Sequence, residues 1–155
     1  MTLLSKSFGE YVQFQKILLT VTAAVGLARL SLSLVGASAT AEFFNMTTIS
    51  FVAVVLFPVM VHKKGFGAYT QVLVLLSIQI ALAAAIITLG IAIAVATGSG
   101  NIFTGGEVGP IGDEMTHAAF HLIGGPTIFA AILWLPASVV LFVTRRVART
   151  PAEGS

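Results

Sequence analysis

The chain has 155 residues, of which 57% are hydrophobic and 9% are charged, with a formal net charge of +2 and a mean hydropathy of +1.01. Soluble domains usually carry about 25% charged residues, so this composition excludes a soluble globular domain and a disordered chain. The sequence contains no cysteine, which excludes a disulfide-stabilised fold and a cysteine zinc site. The composition predicts an integral membrane protein.

Four apolar runs are long enough to cross a bilayer, whose hydrocarbon core of about 30 Å requires about 20 helical residues. They cover residues 17–37, 43–61, 71–96 and 127–144. All four are expected to be α-helical because unpaired backbone groups cannot face lipid. The predicted fold is therefore an all-α, four-helix transmembrane bundle, formed by residues 1–155 as a single domain with an external connection over 98–125.

The basic residues indicate how the chain is oriented. All lysines and arginines except Arg29 flank the apolar runs on one side of a four-span arrangement: Lys6, Lys16, Lys63, Lys64, Arg145, Arg146 and Arg149. The two connections on the opposite side carry acidic residues instead, namely Glu42, Glu107, Asp113 and Glu114. The positive-inside rule then predicts that both termini are cytoplasmic, in a bacterial inner membrane. Because membrane topology accounts for the position of these lysines and arginines, nucleic acid is not an expected partner.

Arg29 is the one charged residue within a predicted span, about midway along the first. An ionisable residue at such a position is a functional candidate by default. No acidic residue lies inside any of the four runs, so Gln79 of the third run is the expected hydrogen-bond partner, together with Ser33 and free carbonyl groups. The alternatives are a side chain that extends toward water at the membrane interface, an acidic residue of another subunit, or a bound anion or lipid headgroup.

Two stripes of small and polar residues predict which helices pack together. In the first run the stripe comprises Thr22, Gly26, Arg29, Ser33, Gly36 and Thr40, and in the third run it comprises Ser77, Ala81, Ala84, Thr88 and Ala92. Small residues let helix backbones approach closely, and polar residues supply interhelical hydrogen bonds. We therefore expect the first and third spans to pack against each other along these stripes.

The external connection divides into two parts. Its first half is rich in glycine and is predicted to be a loop. Its second half predicts a short interfacial helix over 113–123, with Asp113 at its start and Gly124 and Gly125 at its end. Pro126 would then begin the fourth span, since proline is favoured in the first turn of a helix.

On that short helix, Asp113, His117 and His121 recur every four residues, and Glu114 lies three residues before His117. The two carboxylates and two imidazoles would share one face. Such a face can hold zinc, copper or iron, with the carboxylates as ligands or as partners that orient an imidazole. The same pattern is also typical of an amphipathic interfacial helix with its polar face in water, or of a proton-handling site. A bis-histidine haem would need a ligand from another chain, because His62 lies at the opposite end of its span.

No nucleotide-binding loop, serine-hydrolase elbow or other catalytic motif is found, so the sequence does not point to an enzyme. Three functions remain. The first is an accessory or structural subunit whose stripes of small residues pack against membrane partners or against a second copy of the chain. The second is a protein that binds a transition metal or haem through the histidine face. The third is a transporter or channel formed by oligomerisation, since four helices alone enclose little more than a packed core.

Overall fold

The computed structural model describes residues 6–148, which are mostly helical and contain no strand. The elements are α1 (Phe8–Leu34), α2 (Ser38–Ala41), α3 (Met46–Lys63), α4 (Tyr69–Thr97), α5 (Ile111–Ala119), a π-helical segment (Phe120–Phe129) and α6 (Ala130–Val147). Four helical stretches are long and apolar enough to cross a membrane, namely Phe8–Leu34, Ser38–Lys63, Tyr69–Thr97 and Ile111–Val147. The predicted number of spans is confirmed, and these stretches support a small multi-pass helical membrane protein. Of the basic residues that predict orientation, Arg149 lies outside the described range.

Helix α1 begins well before the first apolar run because the preceding residues cap it. The Ser7 hydroxyl accepts a hydrogen bond from the backbone N–H of Glu10 at 3.3 Å, and the Glu10 carboxylate accepts from the backbone N–H of Ser7 at 2.7 Å. This reciprocal pair satisfies backbone donors that the first helical turn leaves free. The helix therefore starts at Phe8 and ends at Leu34, and its polar first turns project beyond the apolar run.

Helix α4 lies at the centre of the bundle and packs against α1, α3, α5, α6 and the π-helical segment. Its position explains why its buried residues come from several faces, including Val72, Leu75, Leu76, Ile80 and Ile91. The packing of α1 against α4 is the helix pair that the two stripes of small residues predict, but only the stripe of α1 lies at the contact. The face of α4 that meets α1 carries Gln79, Ile86 and Gly90, whereas Thr88 of the predicted stripe donates to the carbonyl of Ala118 in α5. At Gly26 the approach is close, since a Cβ atom there would lie 2.9 Å from Ile86 Cδ1 of α4 and 2.5 Å from Met46 Sδ of α3.

The fourth stretch differs from the sequence prediction. Gly124 and Gly125 do not end a short helix, and Pro126 does not begin a new one, because the helix runs from Ile111 to Val147 without a break. Proline removes one backbone donor and crowds the preceding turn, and the chain accommodates it by widening into the π-helical segment rather than by breaking. The Thr127 hydroxyl donates to the carbonyl of Ile123 at 2.7 Å, which satisfies one backbone acceptor beside the proline.

Three separate parts of the chain meet at one end of the bundle. Lys6, before α1, lies 5.3 Å from the centre of the Phe66 ring in the connection between α3 and α4. Arg145, near the end of α6, donates to the carbonyl of Gly67 in the same connection at 3.0 Å. The basic flanks that the sequence assigns to a common side are therefore neighbours in space.

Candidate functional site

A cleft of about 560 Å³ lies between α1, α3, α4 and the π-helical segment, and it extends from the middle of α4 toward the end of the bundle opposite the basic residues. Its walls are mainly apolar, from residues such as Ile80, Ala84, Ile87, Phe129 and Ile132. Arg29, Thr47, Ser50 and His121 are the polar side chains that line it. Binding sites for small molecules typically have this volume and this combination of apolar walls and a few polar groups.

Gly124 and Gly125 help to form one wall of the cleft. A Cβ atom at position 125 would lie 3.7 Å from Ala84 Cβ and from Ile80 Cγ2 of α4, which is an ordinary contact distance. The π-helical segment therefore passes close to α4 at this point while leaving space beside it. The sequence predicts that the two glycines end a helix, whereas the structure places them on the wall of the cleft.

Arg29 lies five residues before the end of α1, about 7.5 Å along the helix axis, and so is not midway along the span as predicted. Its Nη1 donates to the free carbonyl of Phe44 at 3.2 Å, and its Nε is buried without a hydrogen-bond partner. Within residues 6–148, no carboxylate lies within ion-pair distance of the guanidinium. A cationic side chain with unused donors therefore faces the cleft.

The expected hydrogen bond between Arg29 and Gln79 is not formed. Gln79 Nε2 instead donates to the hydroxyl of Thr22, two turns earlier in α1. The third predicted polar residue, Ser33, accepts a hydrogen bond from the backbone N–H of Ile102 at 2.8 Å. Arg29, Gln79 and Ser33 each have a hydrogen-bond partner from another part of the chain. They do not form one polar cluster, because the register of α1 against α4 differs from the predicted one.

The glycine-rich connection is a loop, as predicted, but it is folded against the helices. Asn101 is buried, and its side chain donates to the carbonyl of Gly90 at 2.6 Å and accepts from the backbone N–H of Phe103 at 2.9 Å. This arrangement places the Phe103 ring 5.7 Å from the Arg29 guanidinium carbon, in the range of a cation–π interaction. Ile102 and Phe103 thus line the cleft, and Asn101 holds the loop that carries them. The sequence pattern does not identify these residues, because an isolated asparagine in a glycine-rich loop is typical of a turn.

The two histidines His117 and His121 are brought together. His117 Nε2 and His121 Nε2 lie 3.0 Å apart, and Glu114 Oε2 lies 3.9 Å from Nδ1 on the other side of the His117 ring. Glu114 is buried, with its other oxygen accepting from the backbone N–H of Gly109 at 3.0 Å, whereas Asp113 is exposed. Among the described residues, no three histidine or carboxylate side chains converge closely enough to hold a metal ion between them.

No protein-family model matches the chain, and no curated protein or solved structure resembles it significantly.

Proposed function

We propose that this membrane protein binds a single-chain amphipathic anion, with Arg29 holding the anionic headgroup and the cleft enclosing the apolar chain. A long-chain carboxylate is the simplest molecule of this kind. The observation that carries the proposal is a guanidinium that has no counter-ion among residues 6–148 and lies on the wall of a mainly apolar cleft of about 560 Å³. A charged side chain within a membrane-spanning helix is costly unless a partner compensates its charge, and a bound anion is such a partner.

The chemistry of Arg29 favours a carboxylate or a phosphate. A guanidinium has five N–H donors in a planar fork that matches these groups. The carbonyl of Phe44 accepts from Nη1, and the Phe103 ring lies near the guanidinium, so the side chain is oriented while most of its donors stay available. A preorganised guanidinium loses less conformational entropy when a ligand binds.

The walls of the cleft favour a ligand that enters from the lipid. Phe120, Ile128 and Ile132 line the cleft and are each more than half exposed on the outside of the protein. Their exposed parts would contact lipid tails in a bilayer. An acyl chain can therefore pass from the lipid into the cleft without leaving an apolar environment, which avoids the cost of exposing it to water.

The positive-inside rule supports an arrangement in which both termini are cytoplasmic, and in this arrangement the cleft belongs to the outer half of a bacterial inner membrane. The headgroup of a ligand bound to Arg29 would then lie close to the outer interface. This is the depth at which an anionic headgroup retains contact with water while its tail stays in the hydrocarbon.

One argument for an accessory subunit no longer applies. That hypothesis takes the stripe containing Gly26 as a surface for partners, but Thr22, Gly26 and Ser33 are buried within the chain itself. A partner or a second copy would have to use other surfaces. The oligomeric transporter stays an alternative prediction, which flux through reconstituted vesicles would test.

The proposal is tested by comparing oleate with oleyl alcohol, which has the same chain without the charge, on detergent-purified protein at pH 8. Native mass spectrometry or displacement of a fluorescent fatty acid gives the two dissociation constants. We expect the wild type to bind oleate at least about tenfold more tightly than the alcohol, because a charge-assisted hydrogen bond contributes about 1.5–3 kcal/mol. In Arg29→Gln this preference should disappear.

Lys63→Gln is the matched control, because it removes one positive charge at an exposed position at the other end of the bundle. It should leave the preference for oleate unchanged. Equal binding of oleate and oleyl alcohol by the wild type would refute the proposal. So would competition by inorganic phosphate alone at the concentrations where oleate binds, since the apolar cleft would then contribute nothing.

A further inference from the structure

The imidazoles of His117 and His121 form a pair at the outer end of the fourth helical stretch. Their Nε2 atoms are 3.0 Å apart, and their ring centres are 4.8 Å apart. The side chain of His117 is 43% exposed, so an ion can reach the pair from outside the protein. We propose that the two Nε2 atoms bind one divalent late transition-metal ion, with copper(II) favoured. This proposal is independent of the binding of an amphipathic anion.

The distance between the two nitrogens suits a shared metal ion. Bonds from imidazole nitrogen to such ions are about 2.0–2.1 Å long, so two nitrogens 3.0 Å apart give an angle of about 94° at the metal. This angle is close to the 90° of a tetragonal site, the geometry preferred by copper(II) and nickel(II) with nitrogen and oxygen ligands. Copper(II) also has the highest affinity among the divalent first-row ions.

Glu114 acts as a positioning residue for His117. A histidine that binds metal through Nε2 usually donates its Nδ1–H to a carboxylate or a carbonyl, which fixes the ring. Glu114 Oε2 faces Nδ1 of His117 at 3.9 Å and is buried without a hydrogen-bond partner. The backbone N–H of Gly109 holds the other oxygen of the same carboxylate. A small movement of the His117 ring would bring Nδ1–H into contact with Oε2 and satisfy a buried acceptor.

The positions of Glu114 and the two histidines decide between the roles that the sequence analysis leaves open for the carboxylate, namely metal ligand or partner that orients an imidazole. Glu114 lies on the far side of the His117 ring from Nε2, so it orients the histidine and is not a ligand. The two imidazoles supply two of the coordination positions of the metal ion. Water fills the remaining positions, because no third histidine or carboxylate of the described residues joins the pair. A porphyrin does not fit between two nitrogens 3.0 Å apart, so these two residues are not the axial ligands of one haem.

The test uses tag-free, detergent-purified protein titrated with copper(II) and followed by electron paramagnetic resonance. We expect one ion per chain with the hyperfine pattern of two nitrogen ligands. His117→Ala or His121→Ala should remove this signal at one equivalent of copper. Glu114→Gln should weaken binding about 10- to 100-fold while the two-nitrogen pattern remains at saturation, because loss of an outer-shell partner has an effect of this size.

His62→Ala is the control, because His62 lies at the opposite end of the bundle near the end of α3. It should bind copper as the wild type does. The proposal is overturned if the double variant His117→Ala/His121→Ala binds copper as tightly as the wild type, or if the signal shows a single nitrogen ligand. In either case the 3.0 Å contact is a hydrogen bond between two imidazoles and has no role in metal binding. Circular dichroism of each variant checks that the helices are retained.

Discussion

The Gln79 side chain of α4 donates a hydrogen bond to the Thr22 hydroxyl of α1, and both side chains are fully buried between the two helices. The contact joins positions 57 residues apart in the sequence. It therefore fixes how far α1 is displaced along α4, and with it the height at which Arg29 meets the cleft.

A double-mutant cycle on Thr22→Val and Gln79→Leu should reveal this contact. We expect a coupling energy of about 0.6 kcal/mol, and no more than about 1.7 kcal/mol, as for other hydrogen bonds between membrane helices. Unfolding in mixed detergent micelles with increasing dodecyl sulfate gives the four stabilities. A coupling energy near zero would show that the contact contributes nothing to the packing of α1 on α4.

Gly26→Leu should destabilise the protein by about 1–3 kcal/mol, because an added side chain would overlap Met46 and Ile86 and overpacking has a cost of this order. The matched control is Gly9→Leu, where nothing lies within 4 Å of an added Cβ atom. Thermal unfolding in detergent compares the two. If both variants unfold at the same temperature, the close approach at Gly26 is not a determinant of stability.

Asn101→Ala should release the loop that covers Arg29. The substitution removes a donor to the Gly90 carbonyl and an acceptor for the Phe103 N–H, and a buried polar group without a partner costs about 1–3 kcal/mol. Hydrogen exchange followed by mass spectrometry should show faster exchange over residues 98–110 than in Ser99→Ala, which changes an exposed residue of the same loop. Equal exchange in the two variants would mean that Asn101 does not hold the loop in place.

Gly125→Leu should block the cleft, because a large side chain at this position enters the space beside Ile80 and Ala84. We expect oleate binding to weaken at least about tenfold, since a leucine side chain occupies volume that the acyl chain needs. Gly125→Ala serves as the comparison, because its Cβ atom would make only ordinary contacts at 3.7 Å. Retained oleate binding in Gly125→Leu would mean that the ligand lies elsewhere.

The number and approximate position of the spans could be predicted from the sequence, because the length of an apolar run is set by the thickness of the bilayer. The capping box of Ser7 and Glu10 was also present in the sequence and accounts for the early start of α1. The contact between His117 and His121 follows from their spacing of four residues on a helix. Features of this kind are local, so the residues that determine them are neighbours in the chain.

The cleft could not be predicted in this way, because it depends on the register between distant helices. Whether Arg29 meets Gln79 or the carbonyl of Phe44 is decided by a displacement of α1 along α4 of about two helical turns. The stripe containing Gly26 predicts contact between helices, but small residues spaced at three and four positions allow several registers. Likewise, a Gly-Gly-Pro sequence is compatible with a helix end or with a widened helix, and the rest of the bundle decides between them.

The π-helical segment also sets the rotation of α5 relative to α6. Each residue of an α-helix turns the chain by about 100°, so residues accommodated in wider turns change the direction in which every preceding side chain points. The face of α5 that carries His117 is thus oriented by the segment Phe120–Phe129 and not by the packing of α6 alone. A deletion of one residue within this segment would turn α5 by roughly a quarter of a revolution relative to α6. His117 and Glu114 would turn together, and the carbonyl of Ala118 would leave its place beside the Thr88 hydroxyl of α4.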